Sequence, residues 1–481
     1  MPERHPRALS VLKPACSDAS VVFVHAPYPG NIKFSGTPSG LLHASSATLA
    51  LLDESEARVG YLDPARPSVA FLSELEHLLT AGSCEVLCIS TSTAAIDETQ
   101  RLARLARDIR GDRVRIIVGG PHEDACAVKA AERIPDVDVS LAGPATHVLA
   151  SLVEGALRDE PAARTLAKLK SPAGSVIATH RQGTEVWQES VAAGARGASP
   201  CHRPVLERAE RFAALGPGHT NEVMLRTGCS YGRCTFCAEA RISRTLSRPL
   251  SQVSFLEALA ERDPSSSYYF QDSIFPFNDD ATRREVLPWL RRNGPPWGCQ
   301  VYLNTLTRKQ VQVLQTYGCR YVYTGVESGS KSVLGSIGKH GFTSERALER
   351  LGWLADAGIR VGISLMFGAL QPSGKLVEDE ATVAATLAFA DRIVEFGVPL
   401  VGFFPNVQTV LPGTPLASGL AAAGYDLDFY RMPRQPLFAG LEDGGIGYNF
   451  TTIPNMSWDW SLASRIAEAA AAVSALRASA C

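Results

Sequence analysis

The sequence predicts an α/β protein in two parts: a doubly wound parallel sheet, then six further βα units forming a partial barrel, with a C-terminal tail. Two observations predict this. Short β-branched runs alternate with helix-length stretches along both halves of the chain. Strands separated by helices of that length pair in parallel through right-handed crossovers. A third observation divides the halves: the stretches 171–174 and 194–200 are rich in Gly, Pro and Ser and interrupt the alternation.

Residues 1–19 carry several prolines and no periodicity and read as a lead-in. The first domain is expected over 20–155. Its strands are 20–25, 59–63, 86–91, 114–118 and 137–141, and its helices 41–52, 71–79, 98–110 and 125–133. Residues 156–218 read as a linker holding a small hairpin over 175–191. The barrel is expected over 219–420, with strands at 222–226, 267–272, 298–303, 321–326, 361–368 and 400–405. Helices at 281–293, 309–317 and 344–357 lie between them, the last stopped by Gly358. A C-terminal extension, 421–481, holds an extended part and an Ala-rich helix over 461–478. In both kinds of sheet, ligands gather at the carboxyl ends of the strands.

Composition narrows the function. Lys and Arg total 47 against 49 Asp and Glu, a net charge of −2, so no charge excess favours a nucleic-acid partner. No run of 18 apolar residues suggests a membrane span, and the first twenty residues lack the apolar core of a secretory signal. The 11 cysteines then read as reduced thiols or metal ligands of a cytoplasmic protein.

Three of those cysteines cluster. Cys229, Cys234 and Cys237 stand within nine residues just past a barrel strand. Soft thiolates in this number suit an iron–sulfur cluster, and three ligands leave one iron open for chemistry. A zinc knuckle completed by His219 or His202 is the competing reading.

The spacing, Cys-x4-Cys-x2-Cys with Phe236 before the last cysteine, resembles the radical S-adenosylmethionine (SAM) superfamily, with one residue more in the first gap. Val326-Glu327-Ser328-Gly329 resembles the acidic segment of that family that contacts SAM. Leu411-Pro412-Gly413-Thr414-Pro415-Leu416 and Gly119-Gly120-Pro121-His122 resemble segments of members carrying an N-terminal cobalamin-binding domain, a Rossmann-type doubly wound sheet. The likeness spans residues 20–420.

The resemblance implies a [4Fe–4S] cluster on Cys229, Cys234 and Cys237 that binds SAM through its open iron. One electron, from a donor such as flavodoxin or ferredoxin, would release a 5′-deoxyadenosyl radical that takes hydrogen from a carbon of the substrate. It implies SAM contacts from Phe236, Asp272, Glu327 and Ser364. Each has a plainer reading beside it: a turn cap for Asp272, a solvated loop carboxylate for Glu327, core packing for Ser364 and its neighbour Met366. Arg226 and Arg241 flank the loop as partners for the SAM carboxylate or as surface ion pairs. Tyr323, Phe404 and Asn406 are candidates for the substrate wall.

Cobalamin is a further candidate cofactor. The family's cobalt-binding histidine motif is not matched by His25-Ala26-Pro27-Tyr28-Pro29-Gly30, and Gly143-Pro144-Ala145-Thr146 replaces its usual Gly-Glu-Gly-Glu. Cobalamin would then bind with no histidine under the cobalt, or the domain is a vestige. The leading expectation is cobalamin-dependent C-methylation of a small molecule in natural-product (antibiotic) biosynthesis. The alternatives are a radical SAM diol dehydratase or epimerase acting on an aminoglycoside or other sugar-like substrate without cobalamin, and a non-catalytic metal module.

Overall fold

The computed structural model describes residues 19–26, 59–62, 68–126, 130–143, 145–169, 176–180, 183–187, 220–226, 228–239, 253–262, 264–265, 267–431, 435–436, 446–447, 452–457 and 460–479. The expectations for residues 1–18, the helix at 41–52, Arg241, His202 and His219 lie outside them. The chain forms two compact units, the second built chiefly from Thr220–Cys481.

The first unit is a seven-stranded sheet. Its strands are β1 (Val21–His25), β2 (Val59–Leu62), β3 (Val86–Ser90), β4 (Arg115–Gly119), β5 (Val139–Ala142), β6 (Val176–His180) and β7 (Gly183–Trp187). They lie in the order β2-β1-β3-β4-β5-β6-β7. The first five pair in parallel. This order reverses between β1 and β3, where doubly wound sheets open a ligand crevice at the carboxyl ends. Every residue of β1 is buried, as a strand covered on both faces requires. On one face Phe23, Cys88, Ile117 and Leu141 pack with Val148, Leu152 and Leu166 from the helices Thr146–Leu157 and Ala162–Lys168.

The hairpin expected within the linker is present, and it belongs to the sheet: β6 pairs antiparallel with β5, and β7 with β6. Its Ala178 is part of the core cluster. The helix Ala162–Lys168, also inside the expected linker, supplies Leu166 to that cluster.

The second unit holds β8 (Thr220–Val223), β9 (Ser267–Phe270), β10 (Trp297–Gln300), β11 (Cys319–Glu327), β12 (Arg360–Phe367) and β13 (Leu400–Val407). All six are parallel and stand in sequence order, with β8 and β13 at the two edges, so the barrel is partial. Outward residues such as Val322, Ile363 and Phe403 are buried, as strands backed by helices demand. Polar and aromatic residues alternate with them: Tyr269, Gln300, Tyr323, Ser364 and Phe404. The helices start with well-formed caps. Thr307 and Gln310 form a capping box, as do Asp379 and Thr382. The expected C-terminal helix is Trp460–Ser479, which packs on β13 and on the helix Glu380–Glu395. Among the described residues no helix is long and apolar enough to cross a membrane.

One glycine in the first unit is required by geometry. Gly120, just past β4, has φ +104°, and a Cβ there would lie 2.8 Å from the Thr91 carbonyl oxygen and 2.9 Å from Ser90 Oγ. Gly120→Ala therefore costs on the order of 1–3 kcal/mol of stability. Urea unfolding of the variant is expected to show an earlier midpoint, and an unchanged midpoint contradicts the close approach.

Candidate functional site

β8 ends at Val223, and the chain then leaves regular structure as the cysteine loop, residues 228–239. Backbone groups from distant elements hold that loop. The Tyr231 hydroxyl donates to the Gly338 carbonyl at 2.7 Å. Thr235 N–H donates to the Ile337 carbonyl at 3.0 Å, and Leu416 N–H donates to the Thr235 carbonyl at 2.9 Å. Leu416 lies in the first turn of the helix Pro415–Ala422, whose early N–H groups have no partner within the helix. The Leu411–Leu416 segment thus meets the cysteine loop directly. Its Thr414 caps the helix, with Oγ1 accepting from Ala417 N–H at 3.1 Å. Gly338 has φ +83°, and a Cβ there would run into the Arg233 carbonyl, so only glycine permits this approach.

Cys229, Cys234 and Cys237 are half-buried and carry no disulfide. Burial pushes the Cys234 thiol up to about 12; the nearby Lys339 charge opposes that shift, while Cys237, Glu327 and Cys229 add to it. Among the described residues no three His, Cys, Asp or Glu side chains converge as ligands of a single metal ion would. A four-iron cube asks less convergence, because each thiolate binds its own corner. Three free thiols on one glycine-bearing loop fit that group.

Asp272 follows β9 and is 1% exposed. Its Oδ1 accepts from Leu225 N–H at 3.1 Å and Arg226 N–H at 2.6 Å, and Oδ2 from Leu225 at 3.2 Å. The carboxylate therefore clamps the chain where β8 turns into the cysteine loop. This is the capping role weighed beside a SAM contact. Glu239, which sequence reasoning passed over, closes the other end of the loop through bonds to Gly228 N–H and Ser273; burial raises its carboxyl above the usual range.

Glu327 ends β11 at a bulge against β12. It is 8% exposed and has φ +71°, a strained setting for a residue with a Cβ. It is no solvated loop carboxylate. Lys339, itself 5% exposed, donates to Glu327 Oε1 at 2.9 Å and to the Gly325 carbonyl at 2.5 Å. Ser364 Oγ donates to Glu327 Oε2 at 3.4 Å, and Asn406 Nδ2 donates to Ser364 Oγ at 3.2 Å. Glu327, Ser364 and Asn406 thus form one buried polar network at the carboxyl ends of β11, β12 and β13. Tyr323 joins it through Ser364; burial pushes its phenol upward. Met366 is buried, and Phe236 is half-buried in the cysteine loop. Arg226 enters through its backbone N–H to Asp272. Lys339 was not found by sequence reasoning: a lone Gly-Lys-His after a short helix carries no signal of its own.

A pocket of about 540 Å³ opens at the amino ends of the barrel strands, lined there by Thr220, Ser267, Arg320 and Arg360, and reaches inward to Gln300, Tyr323 and Phe404. In the first unit, His25 is buried and bonded to the Ser90 backbone, and burial pulls its imidazole down to about 4. His122 is fully buried, is also pulled down to about 4, and stands 3.3 Å from Cys126 Sγ through Nε2.

No model of a known protein family matches the chain. It is similar to an uncharacterized methyltransferase of Pyrococcus horikoshii, with 22% identity over 394 residues, covering 79% of this chain and 78% of that protein. It shares the fold of the radical SAM methyltransferase TsrM from Kitasatospora setae, solved with cobalamin and a [4Fe–4S] cluster. The TM-score is 0.64 at 14% identity, over 95% of this chain and 89% of that one. It also shares the fold of the cobalamin-dependent radical SAM enzyme OxsB, at TM-score 0.57 and 17% identity, over 85% of this chain and 61% of that one. The fold of the chain is thus one it shares with these two solved enzymes.

Burial raises Asp272 from 3.8 to about 7, against its backbone hydrogen bonds. The folded chain thus holds this proton more tightly than the unfolded chain. Stability contributed here is present at the acid end and falls as pH rises from about 4 to about 7. Asp272→Asn, which does not titrate, is expected to flatten that fall in denaturant unfolding across this range. Glu378, likewise raised to about 7, keeps its own share. Equal slopes in variant and wild type contradict the assignment.

Proposed function

We propose that this chain is a cobalamin-dependent radical SAM enzyme that methylates a carbon of a small molecule. The observation that carries the reading is the three-cysteine loop pinned beside a buried polar network at the strand ends of a partial barrel, in a chain that also has a doubly wound β2-β1-β3-β4-β5 unit. Two of the similar proteins are named methyltransferases, which supports methylation over dehydration or epimerisation.

When bound, the cluster and SAM supply one-electron cleavage chemistry, and cobalamin supplies a carrier for the methyl group. The chain's own residues do the rest. Cys229, Cys234 and Cys237 hold three corners of the cluster. Asp272 and Glu239 hold the loop that presents them. Glu327, fixed by Lys339 and Ser364, keeps lone pairs on each carboxylate oxygen for the SAM ribose. Phe236 offers an apolar face within the loop. Cobalamin would take the crevice at the carboxyl ends of β1 and β3 with no histidine under the cobalt, because His25 and His122 are both buried within their own unit. Natural-product biosynthesis in the cytoplasm, with a flavodoxin or ferredoxin as electron donor, completes the proposal.

Protein purified anaerobically from cobalamin-supplied cells tests it. The expected result is bound iron, sulfide and cobalamin, and conversion of SAM to S-adenosylhomocysteine under reduction. The cob(II)alamin electron paramagnetic resonance (EPR) signal should show no coupling to a histidine nitrogen. Cys234→Ala should lose iron. Retention of no cobalamin, with 5′-deoxyadenosine as the sole SAM product, overturns methylation.

A further inference from the structure

We propose that the Lys339 ammonium sets the reduction potential of the cluster held by Cys229, Cys234 and Cys237. The inference rests on the functional reading above and goes beyond it, because nothing in that reading asks for a cation here.

Lys339 is almost fully buried, yet it belongs to no surface network. Its neighbour Gly338 touches the cysteine loop: the Gly338 carbonyl accepts from Tyr231, and its Cα faces Arg233 and Cys234. The ammonium stands 5.2 Å from the centre of the Tyr302 ring. That ring lies 4.6 Å from the ring of Tyr231, inside the cysteine loop. Aromatic side chains and packed backbone thus lie between the cation and the cysteine loop, and such a medium screens charge less than water does. The neighbour of Lys339 and the ring beneath its ammonium both contact the cysteine loop, so the cation is the member of the Lys339–Glu327 pair placed on the loop side.

Stability does not explain the arrangement. A buried ion pair is commonly no better than apolar residues of similar volume. Here one partner also sits at φ +71°, a further cost. What a buried cation does supply is a field. One-electron reduction of a [4Fe–4S] cluster adds one negative charge to it, and a nearby fixed positive charge favours the reduced form. Local charge is among the terms that set such potentials. Lys339 is in this sense a positioning and electrostatic residue: it orients Glu327 and biases the cluster without touching either reacting atom.

The test is an EPR-monitored redox titration of the full chain, reconstituted anaerobically, with iron and sulfide counted for each sample. Lys339→Gln is expected to move the midpoint to more negative potential. Glu327→Gln, which leaves the lysine uncompensated, is expected to move it to more positive potential. Lys339→Arg, which keeps the charge, should stay near wild type. A purely structural pair would disturb the site in the same direction whichever partner is removed. Same-direction shifts, or none, in cluster-loaded variants therefore overturn the proposal. Where Lys339→Gln fails to hold a cluster, the sign of the Glu327→Gln shift decides. A wild-type chain that assembles no four-iron cluster overturns the functional reading itself, and the iron count separates that failure from failure of the charge assignment.

Discussion

The backbone of the cysteine loop has no ladder of its own, and every functional statement about this chain depends on how that loop is held. Residues 228–238 contain neither helix nor strand, so their shape must come from outside. Three bonds supply it: Tyr231 to Gly338, Thr235 to Ile337, and Leu416 to Thr235. Asp272 fixes the entry through Leu225 and Arg226, and Glu239 ties Gly228. The partners outside the loop come from three separate parts of the barrel, at 337–338, 416 and 272. The loop is consequently set by the tertiary fold.

The second constraint is the cost of buried charge. Glu327 and Lys339 are each more than nine-tenths covered, in a place where a lone carboxylate or ammonium is heavily penalised. Each is tolerated because the other is there, with Ser364 and the Gly325 carbonyl completing the shell. The strain at Glu327 is the local expense of pointing its carboxylate inward at the end of β11. Tyr323, midway along β11, links this network through Ser364 to the aromatic-lined pocket that opens at the amino ends of the strands.

Much of this was legible in the sequence, and the physical reason differs by feature. The six barrel strands were visible because β-branched runs between helix-length stretches are a local pattern. The cysteines were visible because thiol spacing is itself the chemistry. Glu327 stood out through the likeness of 326–329 to an acidic segment after a strand, and Ser364 through its inward place within a strand; both lie in the buried network. The role of Asp272 was visible only as one of two readings, since its partners lie 46 and 47 residues earlier and no local pattern joins them. Lys339 was not legible at all: it reaches Glu327 from 12 residues downstream, across a helix and a left-handed glycine. The hairpin β6–β7 was foreseen, but not its addition to the edge of β5. Edge pairing runs through backbone groups that every residue shares, so side chains carry no code for it.

The central claim is that three thiolates leave one iron open and that SAM binds there. Electron–nuclear double resonance on the reduced, SAM-loaded protein tests it most directly, with SAM labelled in its methionyl amino nitrogen and carboxylate oxygens. The account predicts hyperfine coupling from both labels to the cluster. Tight SAM binding with no coupling from either label would contradict it.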